Sequence, residues 1–246
     1  MPCDLKTTLR PVVSRVRRVA YRGATYECPC CLGAFRRLLT TGTPPRPNTV
    51  CPACGSMERH RLLALLIRRL RPELASGRVL HFAPEKSVAS LFSGAAEYKT
   101  TDLEGDVDVH ADITDLPFPD ESWDLAVCSH VLEHVANDRK ALHELRRVLS
   151  PSGSVIIMVP QEDGNPVTDE DPNVTDVGER IRRFGQADHV RLYGHDLYQR
   201  LEECGFSVVK FCAEDHFSEQ ELERHRLLKI GGGFNEVMLI CTPAAQ

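Results

Sequence analysis

Between residues 78 and 159 the chain alternates short apolar runs with segments of helical period. Arg78 to Phe82 is a run stopped by Ala83 and Pro84, and Tyr98 to Thr101 leads into Asp102. Val107 to Ile113 alternates polar and apolar, and Trp123 to Cys128 reads as a buried strand ending at Ser129 and His130. From Leu132 to Leu149, apolar residues at 132, 135, 142, 145, 148 and 149 predict one helix. Pro151 to Gly153 reads as a turn and Ser154 to Val159 as another buried strand. This order predicts an open, largely parallel α/β sheet, with ligands outside the carboxyl ends of its strands. A carboxylate at such an end, Asp102, suits a ribose diol. Asp112 suits an adenine amino group, with the Ile113 N–H facing the ring.

The flanks read differently. Residues 1–26 place Leu9, Val12, Val13, Val16 and Val19 among arginines, which predicts a basic amphipathic helix lying on the body. Residues 27–75 carry two C-x-x-C pairs, Cys28/Cys31 and Cys51/Cys54, 19 residues apart. That spacing fits a closed, structural four-thiolate zinc site, with Cys30 the rival for Cys31. Residues 43–48 read as a loop, and Gly55 permits the turn after the second pair. Ser56 to Leu70 predicts a helix capped by Ser56 and ended by Pro72. The remaining 76–246 form the main domain. Within it, residues 161–194 are polar and irregular, the profile of a functional loop.

Composition narrows the picture. With 42% hydrophobic and 26% charged residues and no long apolar run, the expectation is a soluble, cytoplasmic protein without a membrane span. Residues 1–78 hold 15 Lys/Arg against 4 Asp/Glu, a net of +11, while the rest carries −16. Such a split suits a polyanion partner, RNA among them, or attraction between the halves within one chain or in a homo-oligomer.

The stretch ADITDLPFPDESWDLAVCSHVLEHV, followed by LHELRRVLSPSGSVIIMVP, resembles class I S-adenosylmethionine-dependent methyltransferases of the type 11 group over about Arg78 to Val159. CPACGSMERHRLL, HFAPE and FGQADHVRLYG resemble members of that group with a fused zinc ribbon. The resemblance implies a Rossmann-like seven-stranded sheet, with GFSVVKF and FNEVMLICT as its last two strands. It implies cofactor contacts at His81, Phe82, Ala83, Pro84 and Glu85, at Asp102 and Leu103 for the ribose, at Asp112 and Ile113 for the adenine, and at Ser129 and His130 beside the methionine. It makes residues 161–194 a lid shaping the acceptor pocket, with Gln186, Asp188, Arg191 and Tyr193 as substrate contacts. The chain departs from the group in two places. The first loop has no glycine and carries His81 where an acidic residue is usual, and Asp102 and Asp112 are too close for an intervening helix.

Methyl transfer to an oxygen or nitrogen near neutral pH calls for a base, and His130 and His189 are the candidates. His130-x-x-Glu133-His134 also resembles the E-x-x-E-H element of certain metal-dependent methyltransferases. With His189 or His195 it suggests a second divalent ion. The leading expectation is methylation of a small-molecule acceptor. The alternatives are an RNA methyltransferase holding RNA on its basic N-terminal region, and a non-catalytic zinc-binding scaffold.

Overall fold

The computed structural model describes residues 5–42, 44–162, 164–227 and 234–244, which fall into two compact units. The first comprises residues 1–72, 85–91 and 212–230, and the second residues 73–84, 92–211 and 231–246. No helix among the described residues is long and apolar enough to cross a membrane.

The first unit begins with helix α1 (Leu5–Ala20). Val16 and Val19 on it are exposed, Val19 by 76%, so these two are not packed against the body as expected. Next come two antiparallel hairpins, β1 (Arg22–Cys28) with β2 (Gly33–Phe35) and β3 (Leu39–Thr41) with β4 (Arg46–Val50). The expected loop over 43–48 is thus shorter, because Arg46 already belongs to β4; Thr43 lies outside the described residues. Helix α2 (Glu58–Leu65) starts two residues later than Ser56 predicted. Its first turn is closed by the His60 ring, whose Nδ1 accepts from the Met57 N–H at 2.9 Å. Ser56 has another use, described below. A π-helical turn, Leu66–Leu70, continues the helix, and Pro72 opens a short 3₁₀ turn beyond, a first position where its missing N–H is tolerated.

The second unit is a seven-stranded sheet. Its strands are β5 (Arg78–Phe82), β6 (Glu97–Asp102), β7 (Val109–His110), β8 (Trp123–Ser129), β9 (Leu149–Glu162), β12 (Phe206–Lys210) and β13 (Phe234–Pro243). Their spatial order is β12-β13-β9-β8-β5-β6-β7, with β13 antiparallel to both neighbours. β5 pairs in parallel with β6 and β8, and β8 with β9. The near-continuous apolar runs follow from this placement. Leu80, Leu125, Ala126, Val127 and Ile156 are fully buried in the middle of a covered sheet. Helix α3 (Asp138–Val148) turns Ala141, Leu142, Leu145 and Val148 onto the same core.

Two expectations are corrected. The predicted Leu132–Leu149 helix is split into a 3₁₀ turn, Leu132–His134, and α3. Asn137 breaks it by accepting the Lys140 N–H at 3.0 Å as the N-cap of α3. The alternating stretch 107–113 forms only the two-residue strand β7, whose short link to β6 leaves no helix between Asp102 and Asp112. Asp108 braces that link, accepting the Thr100 N–H at 2.8 Å and the Thr100 hydroxyl at 2.7 Å.

Residues 161–194 are more regular than the sequence suggests. β10 (Asp169–Glu170) pairs with β11 (Arg191–Leu192), and helix α4 (Val177–Phe184) is capped by Asp176, which accepts the Glu179 N–H at 2.9 Å. Gly185 ends α4 at φ 88°, a left-handed value that glycine adopts without a Cβ clash. Helix α5 (Leu197–Glu203) follows.

Candidate cofactor cavity and thiolate cluster

In the first unit, Cys28, Cys31, Cys51 and Cys54 place all four sulfurs within 4.8 Å of one another. Cys28 and Cys54 are 3.6 Å apart, and Cys31 and Cys51 3.7 Å. Tetrahedral coordination with bonds of about 2.3 Å spaces sulfurs by about 3.8 Å, so the cluster has the dimensions of a closed zinc site. The two turns are built alike. The residue after each second cysteine is left-handed, Leu32 at φ 56° and Gly55 at φ 78°. Each donates its N–H to the carbonyl of its pair's first cysteine, Leu32 to Cys28 at 2.8 Å and Gly55 to Cys51 at 3.0 Å. Cys30 is outside the set, its Sγ 3.3 Å from the His60 carbonyl. The Ser56 hydroxyl lies 3.1 Å from Cys28 Sγ and 3.2 Å from Cys54 Sγ, a polar contact to both sulfurs that explains its absence from the helix cap.

Arg61, one of the 15 basic residues of the stretch 1–78, is fully buried in this unit. Its guanidinium donates to the carbonyls of Thr49, Ser56, His225 and Arg226 at 2.7–3.1 Å. Burial lowers its pKa from the ordinary arginine value.

In the second unit, a cavity of about 580 Å³ opens beyond the carboxyl ends of β5, β6, β7 and β8, the position where doubly wound sheets bind ligands. Of the eleven residues predicted for the cofactor, Phe82, Ala83, Asp102, Leu103, Asp112, Ile113 and His130 line it. Thr114, which the sequence reading did not name, joins them. The two carboxylates are oriented by their own neighbours: Asp102 Oδ1 accepts the Leu103 N–H at 2.7 Å, and Asp112 Oδ1 the Thr114 N–H at 2.8 Å. Ala83 sits at φ 44°. The glycine-poor loop thus takes a left-handed conformation with an alanine, at a strain of about 1–2 kcal/mol. His130, at the end of β8, is also left-handed, at φ 53°, the kind of strain that collects at functional sites.

Four predicted residues are placed elsewhere. His81 is buried beneath the loop, its Nδ1 3.0 Å from the Tyr98 hydroxyl and its ring edge-on to Phe92. Ser129 is buried at the end of β8, and Pro84 is not among the lining residues. Glu85 belongs to the first unit, where its Oε1 lies 2.9 Å from His60 Nε2 and 3.5 Å from Arg59 Nε.

The lid residues divide as well. Asp188 lines the cavity and Gln186 is exposed. Arg191 and Tyr193, expected to meet an acceptor, are buried in packing instead. The Arg191 guanidinium donates to the carbonyls of Leu132, Val135 and Ala136, and pairs with Glu170 at 2.9 Å. The Tyr193 hydroxyl donates to Asp138 Oδ2 at 3.0 Å. Both hold the segment that carries Glu133 and His134. The missed signal was the helix break at 135–137, which leaves backbone carbonyls needing donors.

His189 is 2% exposed, and its Nδ1 lies 2.8 Å from the Phe184 carbonyl. Burial lowers its pKa from the ordinary imidazole value. Its ring stands edge-on to His134, centroids 4.7 Å apart. His195, the other candidate, stacks on Tyr198.

The sheet order, the antiparallel β13 and the cavity at the strand ends define the Rossmann-like fold of class I methyltransferases. Residues 74–157 match the family described as "Methyltransferase domain". Among curated proteins, a demethylmenaquinone methyltransferase of Clavibacter sepedonicus is 53% identical over 49 residues, 20% of each chain. The uncharacterized methyltransferase YcgJ of Bacillus subtilis is 34% identical over 76 residues, 31% of this chain and 28% of its own. The chain therefore spans less than a third of the length of these relatives. The YcgJ crystal structure aligns over 76% of this chain and 99% of its own at 19% identity, with a TM-score of 0.52. A Burkholderia thailandensis 1,6-didemethyltoxoflavin-N1-methyltransferase, solved with 1,6-didemethyltoxoflavin and S-adenosylhomocysteine, aligns over 76% of this chain and 79% of its own at 15% identity and a TM-score of 0.51.

Proposed function

We propose that this chain is an S-adenosylmethionine-dependent methyltransferase acting on an oxygen or nitrogen of a small-molecule acceptor. The observation that carries the reading is that Asp102 and Asp112 open into one cavity at adjacent strand ends, beside the left-handed Ala83. Asp102 accepts from the ribose hydroxyls, and Asp112 from the adenine amino group. Phe82, Leu103 and Ile113 supply apolar walls. A volume of about 580 Å³ lies within the range of small-molecule sites, and the toxoflavin methyltransferase named above was solved with a small-molecule acceptor, 1,6-didemethyltoxoflavin.

When bound, S-adenosylmethionine supplies an activated methyl group, so the protein's work is alignment and proton removal. His130, on the cavity wall, is the group we assign to take the acceptor proton. His189, behind His134, acts through its neighbours. The four thiolates of the first unit hold a structural zinc, which closes its coordination and leaves that ion no open position. Titration calorimetry of the purified protein with S-adenosylmethionine and S-adenosylhomocysteine tests the reading. Saturable binding of both is expected, and no heat at millimolar ligand from folded protein would end it.

A further inference from the structure

Next to the cavity residues His130 and His134 lie buried polar groups that the reading above leaves unexplained. Glu133 is completely buried; among the described residues its Oε2 has no hydrogen-bond partner, while its Oε1 meets an imidazole. His130 Nδ1 stands 3.0 Å from Glu133 Oε1 as an ion-pair neighbour. His189 Nε2 is also buried and, among the described residues, unpartnered. Leaving such groups unsatisfied is costly. The geometry points to what satisfies them: Glu133, His134 and His189 form a divalent transition-metal site at the acceptor side of the cavity.

One donor atom from each residue lies within 4.8 Å of the other two. Metal bonds of about 2.0–2.2 Å close that spread by small side-chain rotations. Each imidazole is held by its other nitrogen. His189 Nδ1 lies 2.8 Å from the Phe184 carbonyl, and His134 Nδ1 lies 3.3 Å from the Asp188 carbonyl. With Nδ1–H donating in both, each Nε2 presents a lone pair, the outer bonding by which metal-ligating histidines are oriented. The two ligand-bearing segments are fixed to each other: the Val190 N–H donates to the Glu133 carbonyl at 2.9 Å, and Arg191 grips the carbonyls on both sides of Glu133 and His134. Two imidazoles and one carboxylate suit zinc, cobalt, iron or manganese, and leave coordination positions open. His134 and Asp188 line the cavity, so an acceptor oxygen reaches such an ion from there and is acidified by it. That last role rests on the methyltransferase reading; the metal site does not.

The test is metal content of the full-length protein saturated with Zn2+ and freed of loose metal by gel filtration. We expect two equivalents in the wild type. Cys54→Ser removes one of them, and Glu133→Gln, His134→Ala and His189→Ala each remove the other. Co2+ titrated into protein with its cysteines zinc-filled should give weak visible bands without sulfur charge transfer, with affinity at least tenfold lower in the three variants. His134 is 34% exposed in its side chain, so its alanine variant keeps the thermal midpoint and guards against a folding artefact. A wild type that never exceeds one equivalent, or variants that bind Co2+ as the wild type does, overturns the proposal. S-adenosylhomocysteine calorimetry on the same samples separates this failure from failure of the methyltransferase reading.

Discussion

The two sides of the cavity are made in opposite ways. On the side of Asp102 and Asp112, each carboxylate is oriented by a backbone N–H one or two residues along the chain. On the side of Glu133 and His134, the holding groups come from more than 50 residues away, with Arg191 and Tyr193 reaching Leu132, Val135, Ala136 and Asp138. A locally made site tolerates change elsewhere in the fold, and removing one of its residues affects binding. A site made by distant segments depends on the fold itself, and removing its clamp affects stability first.

The largest effect expected from this contrast is therefore at Arg191. Arg191→Met strips donors from three carbonyls, that of Leu132 buried and those of Val135 and Ala136 partly so, and leaves Glu170 with one fewer cation. Breaking a buried charged network in this way costs about 3–5 kcal/mol, read by urea denaturation. It should also release the 132–136 segment to faster amide exchange. Equal stability of wild type and variant would mean that the two sides are not built differently.

Asp102→Ala should show the opposite profile. Its hydrogen bond to Leu103 is local and the side chain is half-exposed, so the midpoint of unfolding should barely move. S-adenosylhomocysteine affinity should fall more than tenfold, in line with about 1–3 kcal/mol for a lost partner in a ligand site. A variant that unfolds early but binds normally would reverse the assignment of the two sides.

The same division decides what could be read from the chain. Strands β5 and β8 announce themselves as short apolar runs, and Asp102 and Asp112 stand at or just beyond strand ends. The paired C-x-x-C spacing likewise fixes Cys28, Cys31, Cys51 and Cys54, since each turn is a local structure. Arg191 and Tyr193 were misread as acceptor contacts because residue type and proximity in sequence say nothing about carbonyls 55 to 61 residues away. The burial of Arg61 was illegible for the same reason; its partners Thr49, Ser56, His225 and Arg226 are brought to it by the fold. The helix break at Asn137 was legible in principle as an Asx cap, but the apolar period from Leu132 to Leu149 ran across it.

A smaller effect is expected at Ala83. Glycine there relieves left-handed strain of about 1–2 kcal/mol but adds freedom to the unfolded chain worth about 0.4–1 kcal/mol. Ala83→Gly should therefore raise stability by about 0–1.6 kcal/mol and leave S-adenosylhomocysteine affinity within twofold. A large loss of affinity would mean that the alanine methyl itself shapes the cavity, and that the loop does more than imitate a glycine turn.

The smallest effect lies at the other end of the same strands, where Asp124 is a carboxylate with its partners in place. Arg78 donates to it through Nε at 3.0 Å and through its backbone N–H at 2.9 Å, and Ser150 adds a bond at 3.1 Å. The side-chain hydrogen bond from Arg78, above all, holds its pKa down at about 2, against an ordinary 3.8. A carboxyl depressed on folding contributes stability above its unfolded pKa and loses it as the pH falls toward the folded one. The contribution should thus be intact above about pH 4 and fade between roughly pH 4 and pH 2. The side chain is 40% exposed, so solvent screening keeps it modest. Asp124→Asn should flatten that part of the acid-unfolding curve and leave S-adenosylhomocysteine binding at neutral pH unchanged, because the pair lies at the amino ends of β5 and β8. Asp102→Asn should instead lower affinity at neutral pH, since its carboxylate faces the cavity and accepts the Leu103 N–H. If Asp102→Asn bound S-adenosylhomocysteine as tightly as the wild type, the carboxylate at the cavity would be a structural group like Asp124, and the distinction between a locally made binding side and a fold-dependent one would lose its clearest member.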